Sequence, residues 1–351
     1  MLSKSSQNSL DYLLAHCLPE ETEDVARRFD TLLASLAGEI LGSDIADAPC
    51  GVARLRLPLR HSGLGIRSRV DLRDPAFTVR IAVDELPVCR GGVGWRVSVG
   101  ALVLADWVLR HPSVCEGQAV LELGSGLGVT GLAAARAGAA RVCLTDAVPS
   151  LVSNLARTIA LNSAADAGGD VSQPCQLEAR LLDLWDGPHG ARRCATHMSI
   201  EETLLQRQSA SDHLPPLPAA ERFDVVLAAE CMYEEYHAAM LPRTIARRLR
   251  RGSARARSVV LQAVREARPL HPAGMLGTMV ASARAEGLAL VITVPRVGDS
   301  PPRRIAFTPD GPDPDEAAWP RGAQLVLLEL TWHMPPAHPG QRAACGARQL
   351  A

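Results

Sequence analysis

The run Val120-Leu121-Glu122-Leu123-Gly124-Ser125-Gly126-Leu127-Gly128 takes an apolar strand straight into three glycines at every second position. Glycine lets the main chain turn sharply and approach a ligand closely. In an open α/β sheet, ligands bind at the carboxyl ends of the strands. A dinucleotide fingerprint would begin at Gly124, but its third glycine would then fall on Val129. The frame Gly126, Gly128 and Gly131 starts too far beyond the strand. Glu122, just before the turn, sits poorly with a pyrophosphate. It suits a ligand carrying an ammonium group, such as the methionyl end of S-adenosylmethionine. Asp146 ends the next apolar strand, where a carboxylate accepts hydrogen bonds from ribose hydroxyls. It is also the residue type of an N-cap for a helix starting at Pro149, and the two roles are compatible. Asp183 and Trp185 close the third strand, an acid and an indole suited to the adenine amino group and its face. The fourth strand ends Ala229-Glu230-Cys231-Met232-Tyr233. Ala229 joins the cofactor-binding set, while Glu230 and Tyr233 stand where a methyl sulfonium must meet its acceptor. The chain has only three tyrosines, so this one carries information.

The elements that must position these residues follow from periodicity. A helix is expected at 100–110, a strand at 119–123, then an Ala-rich helix ending near Gly138. The strand 141–146 leads into a helix over 149–162, and another strand lies within 176–184. Strands at 224–230, 258–264 and 288–294 alternate with helices at 236–250 and 272–286. Such alternation means βαβ units and a mostly parallel sheet. Between 294 and 324 no helical pattern appears, so the final strand, 324–330, must enter antiparallel. The plan is α/β and Rossmann-like, with six parallel strands and one antiparallel strand. Ahead of it, residues 1–92 form an N-terminal extension with an amphipathic helix at 20–41 and short strands within 52–86. The main domain is expected at 93–334, with a flexible Pro-containing insertion at 187–221 and a disordered tail at 335–351.

Composition narrows the classes. Apolar residues make up 47% of the 351, enough for a sizeable core. The formal net charge is -1 and there is no basic stripe, which argues against a nucleic-acid partner. Nine cysteines show no zinc spacing, so no metal is expected and the thiols read as idle in a reducing compartment. Neither a signal peptide nor a run of membrane-spanning length is present in the sequence as given, so an intracellular protein, cytoplasmic or nuclear and away from membranes, is expected.

The run 122–128, Asp146, the Trp near the third strand end and Glu230-x-x-Tyr233 resemble the family 16 methyltransferase-like proteins. So do Gly100-Ala101-Leu102-Val103-Leu104-Ala105-Asp106-Trp107 and the stretch from Ser153-Asn154 to Leu161-Asn162. The resemblance covers roughly residues 93–265. It implies a seven-β-strand methyltransferase fold, S-adenosylmethionine as cofactor, and transfer to a lysine of a protein substrate by a monomer. It implies Glu230 and Tyr233 as catalytic residues. Trp95, Glu122, Gly124, Ser125, Gly126, Gly128, Asp146, Asp183, Trp185 and Ala229 would bind the cofactor. The tryptophan that family members carry ahead of the Gly-Ala run has its nearest counterpart in Trp95, the slot itself being Ser98; at the third strand end Leu184 intervenes before Trp185. The alternatives are another acceptor (protein histidine, nucleic acid or a small molecule) or a module that binds the cofactor without turnover.

Overall fold

Parallel strands covered on both faces read as unbroken apolar runs, and alternate side chains then go to opposite helical layers. The computed structural model describes residues 55–62, 65–73, 78–86, 94, 97–165, 175–184, 215–233, 235–264, 274–294, 303–312 and 324–333. Three strands come first: β1 (Leu55–Ser62), β2 (Gly65–Arg73) and β3 (Thr78–Asp84). They form a separate antiparallel sheet in the order β1-β2-β3. There follow α1 (Val99–Arg110), β4 (Ala119–Leu123), α2 (Val129–Arg136), β5 (Arg141–Asp146), α3 (Pro149–Ala165) and β6 (Gln176–Leu181). The second half holds β7 (Val225–Ala229), α4 (Glu235–Arg248), β8 (Arg257–Val264), α5 (Gly274–Ala285), β9 (Leu288–Val294), β10 (Arg303–Phe307) and β11 (Gln324–Trp332).

The main sheet has the order β10-β9-β11-β8-β7-β4-β5-β6. Strands β4 to β8 pair in parallel, and β11 inserts antiparallel between β8 and β9. The sequence reading gave seven strands; the sheet has eight. The additional one, β10, pairs antiparallel with β9 at the edge. Only Ile305 and Phe307 of β10 point inward, while Arg303 and Arg304 are exposed, so the strand leaves a two-residue apolar signal. Charge at an edge strand also discourages further pairing.

Alternation divides the core. Val120, Val142, Leu144, Val225 and Leu227 pack with Leu104, Val108, Ala134 and Leu155 of α1 to α3. Leu121, Leu123, Cys143, Val226 and Ala228 face the opposite way and pack with Leu241, Ile245, Met279 and Val280 of α4 and α5. The first sheet docks on the outside of the α1–α3 layer, where Ile81 and Val83 of β3 pack with Leu132, Ala133 and Leu151.

Part of the expected insertion is fixed in place. Leu217 is buried, and Leu217 N and Leu181 N donate to Leu181 O (3.0 Å) and Pro215 O (3.2 Å). Residues 215–221 therefore belong to the folded domain, while 187–214, the expected helix 20–41 and the tail 335–351 lie outside the described residues. Among the described residues, no helix is long and apolar enough to cross a membrane.

Ile292 of β9 is fully buried and far along the sheet from the glycine turn. Ile292→Ala should lower unfolding free energy by about 2–5 kcal/mol in urea titrations, with cofactor affinity unchanged.

Candidate active site

Three strand ends meet at one edge because β5, β4 and β7 are consecutive in the sheet. Gly124, Gly126 and Gly128 all have left-handed backbone, with φ of 57°, 52° and 81°. A side chain at any of them would be strained. Space is short as well: a Cβ on Gly124 would lie 2.8 Å from Cys231 Sγ, and one on Gly128 would lie 2.9 Å from Leu155 Cδ2. The turn is tied to β5 twice. Ser125 N donates to Thr145 O (2.8 Å), and Thr145 N donates to Ser125 Oγ (2.9 Å).

Asp146 is the second anchor of the turn. Its Oδ2 accepts from Gly126 N (3.0 Å) and its Oδ1 from Val148 N (3.0 Å). The bond to Val148 N is an Asx turn ahead of α3 and not the helix N-cap expected of Asp146, and the bond to Gly126 N ties the acid to the glycine loop. Burial pushes the Asp146 carboxyl up, against the pull of the amides of Val148, Gly126 and Ala147. A carboxylate offers about four acceptor sites, so the amides do not exhaust it. Asp183 lies close enough for its charge to act on Asp146, and Leu182 N donates to Asp146 O (3.0 Å).

Glu122 sits deeper than a ligand-lining acid would. It is only 2% exposed, and its Oε2 accepts from Gly131 N in α2 (3.0 Å). Strand alternation puts its side chain on the α1–α3 face, beneath the turn. The Ser125 and Thr130 side chains also hydrogen-bond to it. Burial raises its pKa from an ordinary 4.5 to about 7. Gly131 completes this packing: a Cβ there would meet Leu144 Cδ2 at 2.1 Å and Glu122 Oε2 at 2.8 Å. The third glycine of the late frame thus serves helix–strand contact.

The loop after β7 is over-determined. Glu230 is the one non-glycine with positive φ, 55°, among the described residues. A left-handed conformation costs an ordinary residue about 1–2 kcal/mol. Glu230 N donates to Leu261 O (2.9 Å), and Ala263 N donates to Glu230 Oε1 (2.9 Å). The side chain rests against the first turn of α1, where a Cβ on Gly100 would come within 2.4 Å of Glu230 Cγ. The Cys231 thiol donates to Leu123 O (3.2 Å). Burial first, and then the carboxylates of Asp146, Glu122 and Glu230, push that thiol above its ordinary range, which disfavours the thiolate. Met232 is pinned in both directions by one side chain: its N–H donates to Gln262 Oε1 (3.0 Å), and Gln262 Nε2 donates to its carbonyl (2.9 Å).

The edge therefore gathers Glu122, Gly124, Ser125, Gly126, Gly128, Asp146, Asp183, Ala229, Glu230 and Tyr233. Trp95 and Trp185 lie outside the described residues. Sequence reasoning missed two groups here. The half-buried Tyr233 ring is 4.1 Å from buried His237, which is 4.0 Å from Tyr236. The spacing of His237, one helical turn after Tyr233, was the available signal. Gln262 left none, since β8 reads as a buried strand. Slot 98 holds a helix cap: Ser98 Oγ accepts from Ala101 N (3.0 Å). No group of His, Cys, Asp or Glu suited to a metal ion occurs among the described residues.

Because Glu122 titrates higher when folded than the ordinary value expected unfolded, its protonated form is the one that suits the fold. Its stabilisation is complete below about pH 4.5 and is lost as pH rises through about 7. The gap corresponds to about 3 kcal/mol. Between pH 5 and 8 the wild type should lose stability relative to Glu122→Gln, as read from urea unfolding at each pH. Parallel pH profiles would contradict the assignment.

Residues 86–177 match the profile of a family described as "Lysine methyltransferase". Methyltransferase-like protein 22 of Homo sapiens is 43% identical over 97 residues, which is 27% of this chain and 24% of that protein. Methyltransferase-like protein 22 of Mus musculus is 39% identical over 87 residues, 24% of this chain and 22% of that protein. The match thus spans about a quarter of the length of these relatives. Among solved structures, a TehB-like SAM-dependent methyltransferase from Corynebacterium glutamicum aligns with TM-score 0.39 and 14% identity, over 67% of this chain and 89% of that one. The edge geometry suits S-adenosylmethionine. The left-handed glycine loop gives its main chain close approach, and the unexhausted Asp146 carboxylate suits ribose hydroxyls. The segment 86–177, which carries the glycine loop and Asp146, is thus similar to the lysine methyltransferase family and to methyltransferase-like protein 22.

Proposed function

We propose that the chain transfers a methyl group from S-adenosylmethionine to a lysine side chain of a protein substrate. The observation that carries this reading is the seat of Glu230 and Tyr233. An acid in left-handed backbone, fixed by bonds to Leu261 and Ala263, stands beside the glycine loop and three residues before a half-buried tyrosine. Strain of this kind gathers where a fold must hold a reacting geometry. The description of the matching family favours lysine as the acceptor, and the relatives' names favour methyl transfer.

S-adenosylmethionine supplies a methyl carbon already activated by its sulfonium, so the protein's task is positioning and exclusion of water. Asp146 takes ribose hydroxyls on its remaining acceptor sites. Asp183, beside it, takes the adenine amino group. Glu122 acts from below, holding the first turn of α2 and so the curve of the loop. Lysine must lose its proton before attack, which costs about 4–5 kcal/mol at pH 7 from a pKa of ~10.4. The apolar setting around Met232 and Tyr233 lowers that cost by disfavouring the ammonium form. Tyr233 orients the amine, with its ring backed by His237. Glu230 guides the incoming ammonium or meets the methionyl end. Water can take the released proton, so neither side chain needs to be a strong base.

Incubation with labelled methyl donor and a proteome extract, followed by mapping of the label, tests the reading. Label on protein lysine is expected. Label on histidine, nucleic acid or a small molecule would overturn the acceptor class, and cofactor binding without transfer would leave a binding module.

Two variants separate the halves of the site. Asp146→Ala should weaken S-adenosylhomocysteine binding by about 10- to 100-fold, the loss of one or more charge-assisted hydrogen bonds. Glu230→Ala should keep its fold, while transfer falls by about 100-fold or more. Normal transfer by Glu230→Ala would remove that residue from the mechanism.

A further inference from the structure

The helix that starts just after Asp146 also carries the first sheet. Asn154 and Asn162 lie two turns apart on α3 and are both buried. Asn162 Oδ1 accepts from Ala82 N (3.0 Å), and Asn162 Nδ2 donates to Ala82 O (2.8 Å) and to Thr158 O (2.7 Å). Ala82 belongs to β3, which ends the order β1-β2-β3. The amide group therefore stands in for one residue of a fourth strand, satisfying a main-chain donor and acceptor that burial would otherwise make costly. Asn154 Nδ2 donates to Asp84 O at the end of the same strand (2.7 Å).

From that clamp the chain leads to the glycine loop. Buried Glu85 accepts from Val97 N through Oε1 (3.4 Å), joining the end of the first sheet to the entry of α1. Gly94, between them in sequence, meets the loop main chain to main chain. A Cβ on Gly94 would lie 3.2 Å from Gly126 Cα and 2.7 Å from Leu151 Cδ1. A Cβ on Gly126 would lie 3.4 Å from Gly94 O. Leu151 is on α3 as well, so one helix touches Gly94, Asp84 and Ala82, and Asp146 accepts the amide of Val148 just before that helix begins.

We propose that Asn154 and Asn162 are positioning residues for the cofactor cleft, clamping β3 so that the backbone at Gly94 forms a wall against Gly126. The proposal rests on S-adenosylmethionine occupying that loop. It assigns the sheet β1–β3 to the cofactor site, not to the acceptor side. Loosening the clamp widens the gap between Gly94 and Gly126 and leaves the central strands as they are.

The test uses the full chain. Calorimetric titration with S-adenosylhomocysteine, well below the melting temperature, is run on wild type, Asn154→Leu, Asn162→Leu, Asn162→Asp and Gly94→Ala. The two leucine variants are expected to bind about 10-fold more weakly. Amide exchange should rise in 78–98 and stay slow in β4 and β7. Asn162→Asp keeps the acceptor for Ala82 N but sets an acceptor-only carboxylate against the carbonyls of Ala82 and Thr158, so its affinity should fall at least as far as that of Asn162→Leu. Gly94→Ala reaches the wall without touching the clamp and should weaken binding to a similar degree, which keeps the idea testable if a leucine variant fails to fold. Unchanged affinity in the folded variants, with only a lower melting temperature, would reduce the asparagines to structural ties and overturn the proposal. If the wild type itself did not bind S-adenosylhomocysteine, the cofactor assignment would fall first and this inference with it.

Discussion

A hydrogen bond of 3.0 Å from the Gly126 amide to the Asp146 carboxylate fixes how the ends of β4 and β5 face each other. Gly126 makes it from left-handed backbone, where a side chain would be strained. It also spends part of the capacity of an acid that burial has already pushed toward its neutral form. The acid's remaining acceptor capacity suits hydroxyl donors. Much of the surrounding structure keeps this bond in register: Ser125 crosses to Thr145, Glu122 holds the first turn of α2, and Val148 caps the other carboxylate oxygen.

The proposed acceptor side obeys a different constraint. The glycine turn curves because it lacks side chains, whereas the loop after β7 curves in spite of having them. Glu230 is held in an unfavourable conformation, and the bonds that hold it come from β8, the next strand in the sheet. Gln262 reads Met232 from the same strand with both halves of its amide. Rigid strand ends thus supply the precision at both halves of the site, and each half is built from a pair of adjacent strands.

How much of this was legible depends on what each residue leaves in the sequence. Buried parallel strands such as 225–229 show as apolar runs, and the helix faces of α3 and α4 show as periodic leucines, so most of the main-sheet elements could be placed. β10 was not legible, because its two arginines hide two inward residues. Residues 215–217 carry prolines and read as a mobile insertion, yet the burial of Leu217 and a few main-chain bonds hold them beside β6. At the site, glycine spacing and strand-end acids were visible, since those types are needed at those places. The depth of Glu122 was not, because it depends on which helix covers that face. The asparagines of α3 were visible as residues, but their partner strand lies far away in the chain, and no local pattern could name it.

The central claim is that the loop leaving β4 holds a sulfonium nucleoside and not a pyrophosphate. Calorimetry of the purified chain with S-adenosylhomocysteine, and separately with NAD, tests it most directly. Saturable micromolar binding of the nucleoside and none of the dinucleotide is the predicted result. Uptake of NAD with no measurable affinity for S-adenosylhomocysteine would contradict the account.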